Sequence, residues 1–139
     1  MGQIVVGYDG SACGDAALAA AIRLALELGD QVTVVFGYAP PGLWGGEIAE
    51  HEEAIEELGE LVMSKATVQA AEAGVEIDAQ LVPKRAAEAL LEVARQRQAR
   101  MIVVGSFGEP PLKGIILGST PNKLLHLSEL PILVVPTKA

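Results

Sequence analysis

One stretch of the chain concentrates residue types that could hold a ligand. It runs Gly105-Ser106-Phe107-Gly108-Glu109-Pro110-Pro111-Leu112-Lys113-Gly114-Ile115-Ile116-Leu117-Gly118-Ser119-Thr120, a Gly-x2-Gly-x9-Gly-Ser spacing. Gly105 and Gly108 flank a turn at a strand end, where glycine permits positive φ and lets a ligand approach the backbone. Gly118-Ser119-Thr120 opens a helix, whose unpaired N–H groups and partial positive charge suit a phosphate. The Ser119 and Thr120 hydroxyls are expected to cap that helix, and contact with phosphate oxygens would be an additional role. Lys123 falls in the first turn, where the dipole disfavours a cation, so it is either solvated or set against a bound anion. A second group, Asp9-Gly10-Ser11, follows the first apolar run, and Asp9 is there either a turn residue or a ligand contact.

The elements that position these groups follow from apolar periodicity. Residues 4–6 are a β-branched run that reads as a buried strand. Leu18, Ile22, Ala25 and Leu28 then recur at helical spacing, with Ser11 to cap and Gly29 to stop. Residues 32–38 form a second strand, and residues 39–46 a loop rich in glycine and proline. A long helix over 48–73 carries Ile55, Leu58, Val62, Ala66 and Gln69 on one stripe, glutamates mostly off it, and Gly74 at its end. Residues 75–82 alternate like a strand. Residues 86–98 form a helix with Ala87, Leu90, Leu91 and Ala94 inward, and Arg95, Arg97 and Arg100 crowd the end that favours cations. Residues 101–104 are a strand, the helix opened by Ser119 or Thr120 has Pro121 at or near its first position, and residues 132–135 are the last strand. Strands alternating with helices predict one α/β domain over residues 1–139: a five-stranded, mostly parallel, Rossmann-like sheet with helices on both faces. Ligands of such sheets bind outside the carboxyl ends of the strands, at the switch point.

Composition removes several classes. The net charge of −8 argues against non-specific nucleic-acid binding and against an anionic membrane surface. It leaves room for one nucleotide held by backbone amides. Cys13 is the single cysteine, which excludes an intramolecular disulfide and a multi-cysteine metal site. The first residues lack a basic segment and a long apolar one, and no apolar run approaches a membrane span, so a cytoplasmic protein is expected.

The glycine–serine spacing, between a strand and a helix in this topology, resembles the nucleotide-binding members of the universal stress protein family. Val6-Gly7-Tyr8-Asp9-Gly10-Ser11 looks like that family's first strand and aspartate. Leu112 through Ser119 and Pro131-Ile132-Leu133-Val134-Val135 look like its last third. The resemblance implies a site for ATP or AMP lined by Gly7, Tyr8, Asp9, Gly37, Val104, Gly105, Phe107, Gly108, Gly118, Ser119, Thr120 and Pro121. In it Asp9 meets the adenosine end, Gly37 the base, the three glycines ribose and phosphates, and Ser119 and Thr120 the phosphates. Mg2+ or Mn2+ would accompany ATP. It further implies a homodimer through the last strand, Ile132, Leu133, Val134 and Val135, and a protein partner of unknown identity. The sequence departs from the pattern at Phe107, where the family commonly has histidine or arginine, at Glu109, and at Pro110-Pro111. Glu109 would either repel a triphosphate or hold a metal bound to it.

Other functions and other residues compete for attention. A Gly-x4-Gly-Lys-Ser/Thr phosphate loop is missing, so any ATP hydrolysis would be very slow. No Gly-x-Gly-x-x-Gly follows the first strand, which argues against a dinucleotide oxidoreductase. A dimeric interaction module without a ligand remains the alternative of another class. His51 reads as solvated, His126 as structural, and Cys13 as a small buried thiol. Leu43 and Trp44 in the Gly/Pro loop would either cover a base, touch a partner or pack on the sheet edge.

Overall fold

Short β-branched runs that are apolar at every position need cover on both faces, and the chain supplies it with helices of small and aliphatic residues. The computed structural model describes residues 2–38, 48–106 and 117–137, with the backbone alone for 48–52. In chain order these are β1 (Gln3–Gly7), α1 (Ala12–Leu28), β2 (Gln31–Gly37), α2 (Ile48–Glu72), β3 (Ile77–Val82), α3 (Ala86–Arg97), β4 (Met101–Gly105), α4 (Ser119–Leu127) and β5 (Ile132–Val135). They form one five-stranded sheet, order β3-β2-β1-β4-β5, with every neighbouring pair parallel. The expected α/β architecture is therefore present, and the sheet is parallel throughout.

The period of two along β1 divides the core. Ile4 and Val6 pack with Val32, Val34 and Val103 beneath α1 and α2. Val5 packs with Val35, Ile102 and Val104 beneath α3 and α4. Ile4, Val5, Leu18, Leu90, Ile102 and Leu124 are all fully buried, each worth about 1.5–3 kcal/mol relative to exposure. α1 starts and stops as expected. Ser11 accepts from the Gly14 amide at 3.1 Å, and Gly29 closes the helix in the left-handed region at φ 73°.

Two expectations are corrected by packing. Leu58 is 54% exposed and lies off the buried stripe of α2, which runs through Ile55, Gly59, Val62, Ala66 and Ala70. Gly59 takes the inward position because a Cβ there would stand 2.5 Å from Leu81 Cδ2. β3 begins at Ile77 instead of Val75, because the Val75 amide still donates to Ala70 O at 2.9 Å beyond the left-handed Gly74.

The amino ends of the strands are closed by one buried carboxylate. The Asp30 side chain is inaccessible to solvent. It accepts from Arg100 Nε at 2.7 Å, Arg100 Nη2 at 3.0 Å and the Gly2 amide at 2.9 Å. The Arg100 hydrogen bonds first, then the Gly2 amide and the nearby positive charges, hold its carboxyl below the usual range against the opposing effect of burial. A lowered folded pKa stabilises the fold fully above the unfolded value of about 3.9 and loses that contribution as pH falls through the folded one. Asp30→Asn should lower Tm by several degrees at neutral pH, and the gap to the parent should close below about pH 4 in melts followed by circular dichroism. A gap unchanged into strong acid would mean that the ionised carboxylate is not the source.

Candidate functional site

The strand order reverses direction between β1 and β4. The chain winds outward from β1 to β2 and β3, then crosses to β4 and β5. The carboxyl ends of β1 and β4 thus flank the crevice where open parallel sheets take ligands. Three segments meet there: the β1–α1 turn, the end of β4, and the start of α4. The Gly118 amide donates to Ser106 O at 2.7 Å, which clamps the start of α4 onto the end of β4. The Ser106 amide itself donates to Val135 O at 3.1 Å.

α4 opens without the expected hydroxyl cap. Gly118 occupies the N-cap with extended backbone, φ −68° and ψ 174°, and no side chain caps the helix. Ser119 and Thr120 are the first two helical residues, and the buried Pro121 is the third, a position that tolerates a missing N–H. Ser119 and Thr120 keep their backbone N–H groups without a partner among the described residues, and their hydroxyls are not spent on capping. Of the two other helix starts described in full, that of α1 has a side-chain cap and that of α3, at Arg85, has none. Ser11 caps α1, and the start of α3 packs on Gly37, where a Cβ would lie 2.8 Å from Ala86 Cα and from Lys84 O.

Gly105 is the last residue of β4 and does not have positive φ. Its missing side chain has another use. A Cβ there would stand 2.6 Å from Cys13 O, so the glycine lets the first turn of α1 lie on β4. Asp9 is exposed, and its Oδ1 accepts from the Ser11 amide at 3.0 Å and from Ser11 Oγ at 2.5 Å. Asp9 thus closes the turn between β1 and α1 through its side chain. Gly7 faces Leu90 Cδ1, and Val104 is buried under α3 and α4, so neither position presents a side chain to a ligand.

Tyr8 is buried and points away from the crevice into the core beneath α1. Its hydroxyl donates to Asp15 Oδ1 at 2.6 Å. Burial first, then the Asp15 hydrogen bond and the charges of Asp15 and Asp9, push the phenol well above the ordinary tyrosine range. Lys65 of α2 donates to Gly10 O at 2.9 Å and to Asp15 Oδ2 at 3.2 Å, and Gln69 donates to Asp15 O at 3.1 Å. Sequence reasoning missed this network. The signal available for it was a lone lysine on a glutamate-rich helix.

Other candidates resolve simply. Lys123 pairs with the Glu88 carboxylate at 2.9 Å, and both side chains are about half exposed. Cys13 is half-buried instead of buried, and His126 is exposed on α4. Phe107, Gly108, Glu109, Pro110, Pro111, Leu43 and Trp44 lie outside the described residues, as does the His51 side chain. Among the described residues no three His, Cys, Asp or Glu side chains are grouped to hold a metal.

A parallel sheet wound outward in both directions from β1 and β4, with helices on both faces, defines the doubly wound α/β class. The chain belongs to the universal stress protein family, whose model matches residues 1–136. A universal stress protein of Thermus aquaticus is 31% identical, over 95% of this chain and 96% of its own. Universal stress protein YxiE of Bacillus subtilis is 29% identical, over 96% of this chain and 97% of its own. Among solved structures, the hypothetical protein MJ0577 superposes with a TM-score of 0.87 at 21% identity, covering 99% of this chain and 97% of its own. A universal stress protein in complex with cAMP superposes with a TM-score of 0.75 at 25% identity, covering 99% and 98%.

The Gly105 contact gives a direct test of how the crevice is built. Gly105→Ala forces a Cβ against the backbone of Cys13, not against a side chain that could swing away. It should cost about 1–3 kcal/mol in urea unfolding and shift the amide resonances of residues 9–14. An Ala variant as stable as the parent would contradict the close approach.

Proposed function

We propose that this protein binds an adenine nucleotide, ATP or AMP, across the carboxyl ends of β1 and β4, and serves in the cytoplasm as a nucleotide-responsive regulator of the stress response. The observation that carries the reading is the start of α4, where two amides and two hydroxyls without a partner among the described residues stand at the switch point beside the end of β4. Family membership supports it, as does the relative solved with cAMP.

In this reading the Ser119 and Thr120 amides and hydroxyls hold phosphate oxygens. Asp9 accepts from the adenosine end. The backbone at Gly7, Tyr8, Gly37, Val104 and Gly105 lines base and ribose, and Phe107 and Gly108 complete the loop. Oxygen donors of this kind also suit Mg2+ or Mn2+. With no carboxylate cluster among the described residues, such an ion would be held mainly by the phosphates of ATP.

The reading includes a homodimer. β5 is an edge strand, its apolar residues run Ile132-Leu133-Val134-Val135, and Leu133 is exposed on it. An apolar edge with an open ladder favours pairing with a second copy. Light scattering should give twice the chain mass, and Leu133→Glu should reduce it to the monomer. A monomeric parent at working concentration would remove this part.

The nucleotide claim is tested by denaturing the purified protein and identifying what is released, then titrating ATP and AMP by calorimetry with and without Mg2+. Gly118→Asp places a negative charge where phosphate is expected without straining a backbone at φ −68°. It should weaken binding at least tenfold at unchanged Tm. Ser119→Ala should weaken it by roughly 3–10-fold, the loss of one hydrogen bond. Unchanged affinity in Gly118→Asp would refute the assignment of the site. No binding of either nucleotide to the parent would leave a ligand-free interaction module.

A further inference from the structure

α2 carries a second apolar stripe that the core does not use. Leu58, Leu61 and Val68 are 54%, 70% and 58% exposed. With Lys65 they fall at intervals of three, four and three, the spacing of a seam between paired helices. Exposed aliphatic residues scattered singly need no explanation, but three in one helical register do. The stripe borders the buried face formed by Val62 and Ala66, so a helix laid on it would extend the existing packing.

Charge selects the occupant. α2 contains seven glutamates and one lysine, and that lysine is already paired with Asp15. Exposed Glu57 and Glu60 border the leucines. A second copy would set glutamates against glutamates on chains of net charge −8. We propose that the Leu58–Leu61–Lys65–Val68 face of α2 docks a basic amphipathic helix of a partner protein, its leucine-like face on the stripe and its lysines or arginines on the glutamates.

Lys65 gives this surface a connection to the crevice. Its ammonium holds Gly10 O, one residue beyond Asp9, so the docking face and the β1–α1 turn share one side chain. Docking and nucleotide binding are therefore coupled through Lys65; this coupling alone rests on the nucleotide reading above.

The probe is a synthetic 18-residue helix with Leu at heptad a and d positions and Lys elsewhere. Its control has the same composition in scrambled order. Titrated into the full chain by NMR, the amphipathic peptide should bind at least tenfold more tightly than the scrambled one, with amide shifts confined to α2 and the turn at Gly10. Leu58→Gln with Leu61→Gln should weaken binding at least tenfold at unchanged Tm. Equal binding of the scrambled peptide, shifts on another face, or a parent dimer dispersed by the double variant would each overturn the docking site. With ATP bound, as established by calorimetry, peptide affinity should change several-fold, and Lys65→Met should erase that change. Equal affinity with and without bound ATP would overturn the coupling and leave the docking site standing. Failure of both ATP and AMP to bind would defeat the nucleotide reading, with the docking result unaffected.

Discussion

The carboxyl end of the sheet depends on how closely the first turn of α1 approaches the last residue of β4. Two glycines on different elements make that approach possible. At Gly105 a Cβ would meet the Cys13 carbonyl oxygen at 2.6 Å, and at Gly14 a Cβ would meet Asp9 Oδ1 at 2.7 Å. The first absence lets α1 rest on β4. The second lets the Asp9 carboxylate fold back over the helix it precedes, where Ser11 Oγ bridges it to the Gly14 amide. The start of α4 then has one place to go, onto Ser106, the residue next to Gly105. Interiors packed to crystal density transmit such constraints, so a methyl group at either glycine is felt across the crevice.

The same geometry explains how a chain of net charge −8 can present a place for an anion. Among the described residues, Lys65 is committed to Gly10 O and Asp15, and Lys123 to Glu88. The described start of α4 offers the Ser119 and Thr120 amides together with their hydroxyls. Unpaired amides act over one helical turn, whereas the acidic field of the molecule is screened over a Debye length of about 8 Å at physiological salt. Local donors therefore decide affinity, and global charge decides which larger partners are repelled.

The sequence made the architecture legible because each buried strand is a short β-branched run and each helix has an apolar stripe. Ile4-Val5-Val6 and Ile132 to Val135 could hardly read otherwise. Legibility failed where a small residue does the work of a large one. Gly59, not Leu58, faces Leu81, and Gly118, not Ser119, opens α4. A reading that ranks residues by hydrophobicity or by capping tendency prefers the wrong neighbour in both cases, because tertiary approach outweighs intrinsic preference. Of the glycines and hydroxyls whose spacing marked the candidate site, Gly105 ends β4 and Gly118, Ser119 and Thr120 open α4, while Gly108 lies outside the described residues. The Tyr8–Asp15–Lys65 network was not legible, since its members lie on three elements and only the fold brings them together.

Stability and recognition are consequently assigned to opposite ends of the sheet. At the amino end Asp30 takes three hydrogen bonds, and both Gly2 and Arg100 are tied to it. At the carboxyl end polar groups are left open at α4 and the β1–α1 turn is held by side chains from α2. Burial of the two apolar layers offsets most of the cost of ordering the chain, so a few donors at the carboxyl end can stay at the surface, where water or a ligand can complete them. Rigid backbone around open donors is the arrangement that minimises reorganisation on binding. Lys65 is the exception to the division, a half-exposed side chain that supports the turn from outside the crevice. Because it is exposed, whatever lies against α2 acts on that support, and the turn at Asp9 is the part of the site most open to control from the surface.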